Sequence, residues 1–121
     1  MRSAAQAYGT IAKQVASPRE LEAGLLLKAA SRLQTVMDNW VEFKPQLNDA
    51  LLNNRKLWTI FMAATTASDN PLPAEIRENI ANLALFVFRQ TIATLASPKP
   101  EQLAPLIKIN REIAAGLRGS A

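Results

Sequence analysis

The stretch that decides the fold lies between Pro73 and Ile92 and reads PAEIRENIANLALFVFRQTI. Pro73 suits the start of a helix, where no backbone N–H is needed, and acidic residues follow near the positive end of the helix dipole. Leu83 to Phe88 form a run of six apolar residues. A helix that is apolar nearly all round is buried in a bundle or has a face committed to a partner. We predict a long helix over residues 73–96.

Breaks rich in proline divide the rest of the chain around this helix. The segments SDNPLP (68–73) and SPKP (97–100) are loops. Ser17, Pro18 and Glu20 form a helix-start signal with a capping box. Apolar residues between the breaks recur at helical spacing, and no segment alternates with the period of a strand. We predict an all-α fold: a single compact bundle of about five helices, at about 3–15, 18–39, 44–66, 73–96 and 101–117, with short connections and mostly antiparallel neighbours.

Composition indicates one folded domain over residues 1–121. A hydrophobic fraction of 49% with 20% charged residues excludes a disordered chain. The chain has no cysteine, no secretory signal and no apolar run long enough to span a bilayer, so we expect a cytoplasmic protein without a membrane segment. The net charge of +4 is spread along the chain, and Arg55-Lys56 is the one adjacent basic pair. Nucleic acid is therefore an improbable partner.

The inventory of reactive side chains argues against an enzyme. Histidine and cysteine are both absent, which leaves serine, threonine and lysine without the commonest base. The acidic residues are explained by helix starts and solvated faces, and no Asp-rich loop has the spacing of a metal site. We expect no catalytic, cofactor-binding or metal-binding residue.

Aromatic residues flank the predicted junction between the second and third helices: Trp40, Phe43, Trp58 and Phe61. They can form core, because buried aromatics dominate small interiors. Alternatively, they line a groove for a partner helix, recognised through anchors at helical spacing. The full set of partner-binding candidates is Tyr8, Trp40, Phe43, Asn54, Arg55, Trp58, Phe61, Phe86 and Arg89.

Four asparagines lie on otherwise apolar helices: Asn54, Asn79, Asn82 and Asn110. A buried amide needs hydrogen-bond partners, so these residues predict a polar network that fixes the register of the helices. We expect Arg55 and Arg111 to join this network or to hold carboxylates.

The order of several motifs resembles the FlaF family of alphaproteobacterial flagellar biosynthesis regulators. The matching segments are Tyr8, RELEA (19–23), LKAA (27–30), NRKLWTIF (54–61), Leu72-Pro73, IRENIANL (76–83) and the stretch 106–117. The resemblance implies a small helical protein that binds flagellin as a secretion chaperone and influences flagellin synthesis, with a functional link to the regulator FlbT. It transfers no functional residue.

Three functions are compatible with the sequence. A chaperone that covers an amphipathic terminal helix of flagellin predicts a contiguous exposed apolar surface. A direct RNA-binding regulator of flagellin expression predicts a focused basic face. A homo-oligomer would bury the apolar surplus against another copy. The scattered charge favours the first.

Overall fold

Four long helices build the fold in the computed structural model, which describes residues 18–67 and 69–119. They are α1 (Pro18–Asp38), α2 (Leu47–Thr66), α3 (Ala74–Ala96) and α4 (Leu103–Leu117). No strand occurs in the described ranges, and the all-α prediction is confirmed. The additional helix predicted at about 3–15 lies outside the described residues.

Short helical turns replace the predicted starts of two helices. A four-residue α-helix (Trp40–Phe43) and a 3-10 turn (Lys44–Gln46) connect α1 to α2, so the helix predicted from residue 44 becomes α-helical only at Leu47. A second 3-10 turn (Pro100–Gln102) precedes α4. There the side-chain oxygen of Gln102 accepts the backbone N–H of Lys99 at 2.8 Å, which closes the turn. The prolines start these segments as predicted, but in the tighter 3-10 geometry common at helix ends.

The four helices differ in how extensively they pack against one another. α1 packs most extensively against α4, and α2 packs against α3 and α1, whereas α3 and α4 make few contacts. The buried side of α3 consists of Ile80, Ala84, Val87, Thr91 and Thr94. Since α2 is its main neighbour, α3 lies at the edge of the bundle, and much of its apolar circumference remains at the surface.

Asn70 fixes the loop that carries the chain from α2 to α3. Its side-chain Nδ2 donates to the carbonyl oxygen of Ala64 at 3.0 Å, and its Oδ1 accepts the backbone N–H of Leu72 at 2.9 Å. These bonds tie the end of α2 to the residues just before α3. In the described part of the chain, no helix combines the length and apolarity needed to cross a membrane.

Candidate partner-binding surface

A buried polar network joins three of the helices. The indole Nε1 of Trp58 donates to Oδ1 of Asn110 at 2.8 Å. Nδ2 of Asn110 donates to Oδ1 of Asn54 at 2.7 Å and to the carbonyl oxygen of Leu26 at 3.2 Å. Trp58, Asn54 and Asn110 are fully buried. A single side chain of α4 thus contacts both α1 and α2 through hydrogen bonds.

The indole determines the orientation of each amide in this network. An indole N–H can only donate, so Asn110 must present its oxygen to Trp58 and its nitrogen to the other partners. Asn54 must then accept, which turns its own Nδ2 away, and that atom has no hydrogen-bond partner among the described residues. If α2 or α4 shifted along its axis by one residue, these bonds would break inside the core, where unpaired polar groups are costly. The network therefore fixes helix register.

The predicted network is confirmed in part. Asn54 and Asn110 form it, but Asn79 and Asn82 are exposed on the outside of α3. Arg55 and Arg111 are also exposed and lie outside the network, so their predicted participation is wrong. Both follow a network asparagine by one position, and one residue along a helix turns the side chain by about 100°.

The four junction aromatics separate into two pairs. Trp58 is 0% exposed, and its ring meets that of the buried Phe61 edge-to-face, with 5.5 Å between centroids. These two residues and Asn54 belong to the interior, so the intact bundle offers none of them to a partner. Trp40 and Phe43 are half-buried on the turn between α1 and α2, where Nζ of Lys44 lies 5.8 Å from the centre of the Trp40 ring. The structure does not unite the four into one groove.

α3 carries four exposed large apolar side chains, more than any other described helix. Leu85 is 50%, Phe86 40% and Ile92 62% exposed. Ala81, Leu85, Phe88 and Ile92 follow one another at intervals of four, three and four residues, so they form one stripe along the helix. We call these four residues the α3 stripe. Arg89 lies one turn from Leu85 and is the one charged residue between Asn79 and Ala96. Phe86 follows Leu85 by one position, so its side chain is turned about 100° away from the stripe.

Sequence reasoning selected part of this surface. Phe86 and Arg89 were candidates, and both are exposed on α3. Leu85 and Ile92 were missed because a helix apolar all round does not reveal which side faces its neighbour. The remaining candidates are Arg55, which is exposed on α2, and Tyr8, which lies outside the described residues.

A second surface, lined by apolar and polar side chains in equal number, follows the line where α1 meets α2, and we call it the α1–α2 seam. A hollow of about 280 Å³ lies between Leu25, Ala29, Leu57 and their polar neighbours Lys28, Arg32 and Asn53. Another, of about 430 Å³, lies at the α1 N-terminus, lined by Arg19, Glu22, Ala64, Leu117 and residues 69–72. Burial raises the pKa of Glu22, while the nearby charge of Arg19 lowers it to a smaller extent. Among the described residues, no cluster of acidic side chains could hold a metal ion.

Comparison with known proteins gives one clear finding. The family model described as flagellar protein FlaF matches residues 4–117. This range includes all four described helices and most of the segment that precedes α1. No curated protein matches the chain, and no solved structure does.

Proposed function

The chain belongs to the FlaF family of flagellar proteins, and from this membership we propose that it binds a helical terminal segment of flagellin. In this proposal it acts in the cytoplasm as a secretion chaperone, with an influence on flagellin synthesis and a functional link to FlbT. It performs no catalytic step. The supporting observation is the α3 stripe, an exposed apolar surface on a helix with one main neighbour.

The α3 stripe has the properties that an amphipathic partner helix requires. Its spacing of four, three and four residues matches the anchors through which one helix packs against another. Leu85 and Ile92 are large, and half or more of each is open to solvent, while Ala81 and Phe88 are half-buried. Binding would remove this surface from water at about 25 cal/mol per Å², less the free energy needed to order the partner. Arg89 lies one turn from Leu85, so it would contact the edge of the bound helix.

The charge distribution supports a protein partner over RNA. Arg89 is the one charged side chain on the middle of α3. The adjacent basic residues Arg55 and Lys56 are exposed on α2 and have no basic run beside them in sequence. RNA binding needs several cations that neutralise successive phosphates. RNA binding and self-association are therefore the alternatives that the binding experiments below distinguish from flagellin binding.

The test measures the affinity of the full-length protein for flagellin and for peptides of its two terminal helices. Ile92→Asp and Leu85→Asp should each weaken binding by about 4- to 20-fold, because full burial of such a side chain contributes about 1.5–3 kcal/mol and only the exposed half or so of each remains to be buried. The loss should appear mainly as faster dissociation. Val41→Asp is the matched control, since Val41 is 91% exposed and lies outside α3. Equal affinity of wild type and the α3 variants would refute the proposed surface.

A salt series separates the alternatives. Affinity for flagellin should change little between low and physiological ionic strength, since screening acts on charges and not on apolar burial. Arg55→Ala and Lys56→Ala should then slow association at most. Steeply salt-dependent binding of the flagellin messenger leader without flagellin binding would overturn the assignment. A dimer that Ile92→Asp dissociates, with no flagellin binding, would favour the homo-oligomer.

A further inference from the structure

We propose that the smaller hollow of the α1–α2 seam is a docking site for an acidic amphipathic helix of a protein partner. Beside this hollow of about 280 Å³ lie three exposed cations, Lys28 and Arg32 of α1 and Lys56 of α2, which we call the basic patch. No residue of α3 is among the described residues that line the hollow. The site is therefore separate from the α3 stripe, and the proposal does not rest on flagellin binding.

Helical spacing brings the three cations of the basic patch together. Lys28 and Arg32 are four residues apart, so they are neighbours on α1, and both line the hollow. Asn53 of α2 lines the same hollow, and Lys56 follows it by three positions on the same side of α2. Arg55 follows Asn53 by two positions, which turns its side chain by about 200° to the other side. The patch is thus a cluster in space, although its members are scattered in sequence.

No described carboxylate neutralises the basic patch. In residues 18–67 and 69–119, the one side-chain ion pair joins Lys108 to Glu112 on α4. All ten acidic residues of the chain lie within these ranges. Glu22 and Asp49 are one to two turns away, toward the two ends of the seam, and they limit the patch to about two helical turns. Its positive charge is therefore available to a short acidic segment.

The hollow adds an apolar contact to this charge. Ala29 is buried in its lining, Leu57 is half-buried, and Leu25 is 43% exposed. A cavity of about 150 Å³ already admits a benzene-sized group, so the hollow has room for one aliphatic side chain of a partner. The ligand that fits both features carries an apolar residue between negative charges.

An acidic helix meets this requirement better than RNA does. Carboxylates four residues apart on a helix are spaced like Lys28 and Arg32, so two ion pairs can form when the helices lie side by side. An apolar residue three positions from one carboxylate shares its face and can enter the hollow. Single-stranded RNA is held largely by bases that stack on aromatic rings, and the described lining of the hollow contains no aromatic residue.

The test uses the full-length, isotope-labelled protein and a capped, alanine-based helical peptide that carries two glutamates one turn apart and a leucine on the same face. Amide chemical shifts should change around the hollow. Binding should weaken between low and physiological ionic strength, because exposed charges are screened. The double variant Arg32→Glu with Lys56→Glu should bind at least about fourfold more weakly, since each reversal replaces an attraction by a repulsion.

The double variant Arg55→Glu with Arg111→Glu is the matched control. It changes the net charge equally, and both residues are exposed on other sides of the bundle. It should bind within about twofold of wild type, because distant charges are screened at physiological salt. Circular dichroism should show unchanged helix content in both variants, since all four substituted residues are exposed.

Four results would overturn the proposal. The first is no shift of any amide on addition of the peptide at millimolar concentration. The second is equal weakening in the two double variants, which would indicate net charge alone. The third is a set of shifts confined to α3. The fourth is binding of oligouridylate that is tighter than that of the peptide and is lost in Arg32→Glu with Lys56→Glu, which would assign the basic patch to RNA.

Discussion

Replacing Asn110 by alanine tests the central feature of the fold. The substitution removes three buried hydrogen bonds, to Trp58, Asn54 and the Leu26 carbonyl. The indole N–H then has no acceptor, at a cost of about 1–3 kcal/mol, and each of the two oxygens that Asn110 satisfied adds about 1 kcal/mol. We expect the free energy of unfolding to fall by about 3–5 kcal/mol, a large part of the 5–15 kcal/mol typical of a domain.

The assay is urea denaturation followed by circular dichroism at a helical wavelength, because Trp58 itself is part of the perturbation. Asn79→Ala is the matched control, since Asn79 is exposed, and it should change stability by less than about 0.5 kcal/mol. A double-mutant cycle with Trp58→Phe isolates the Trp58–Asn110 bond and should give a coupling of about 1–2 kcal/mol. A loss below about 1 kcal/mol for Asn110→Ala, or a coupling near zero, would refute the reasoning.

Three further predictions concern stability. Trp58→Ala should reduce the free energy of unfolding by about 3–5 kcal/mol, because it leaves a large cavity in the core. Urea denaturation measures this loss, and an almost unchanged stability would contradict the burial of Trp58. Burial raises the pKa of Glu22 above its ordinary 4.5. The folded chain therefore keeps this proton to higher pH than the unfolded chain does. As a result, the free energy of unfolding falls as pH rises through the pKa of the folded state. Glu22→Gln removes that loss, so its stability relative to wild type should rise between about pH 4 and neutrality. A difference in stability that stays constant over this pH range would contradict the burial of Glu22. Gly24→Ala should stabilise α1 by about 0.5–1 kcal/mol and raise the melting temperature, since a Cβ at this position meets nothing within 4 Å. A lower melting temperature would contradict the open space around Gly24.

The sequence predicted the helices well because their limits depend on local chemistry. Prolines, caps and apolar spacing act over a few residues, and they located the described helices to within about three positions. Which residues of a helix face inward depends on neighbours that are distant in sequence. Asn110 and Asn79 illustrate this: each is an asparagine on an apolar helix, yet one is at the centre of the core and the other faces solvent.

The same limit applies to the partner-binding candidates. Tryptophan and phenylalanine suit a core and a binding groove equally, so the sequence could not decide between these roles for Trp58. Its indole N–H found an acceptor on α4, 52 positions further along, and no local pattern announces such a bond. Ile92 shows the converse: it is apolar and lies on an apolar helix, yet it is turned outward because α3 has one main neighbour.

Most exposed large apolar residues of the described chain fall into two separate groups. Leu21, Leu25 and Ile60 border the α1–α2 seam, while Leu85, Phe86 and Ile92 lie on α3. The remaining exposed residues, such as Leu52 and Val41, belong to neither group, and single exposed apolar side chains are common on soluble proteins. The hollows of the seam are lined by as many polar as apolar side chains, whereas Arg89 is the one charged residue on the middle of α3. We therefore expect the proposed flagellin contact on the α3 stripe rather than on the seam. Ile92→Asp should weaken flagellin binding more than Ile60→Asp, although the two residues are nearly equally exposed.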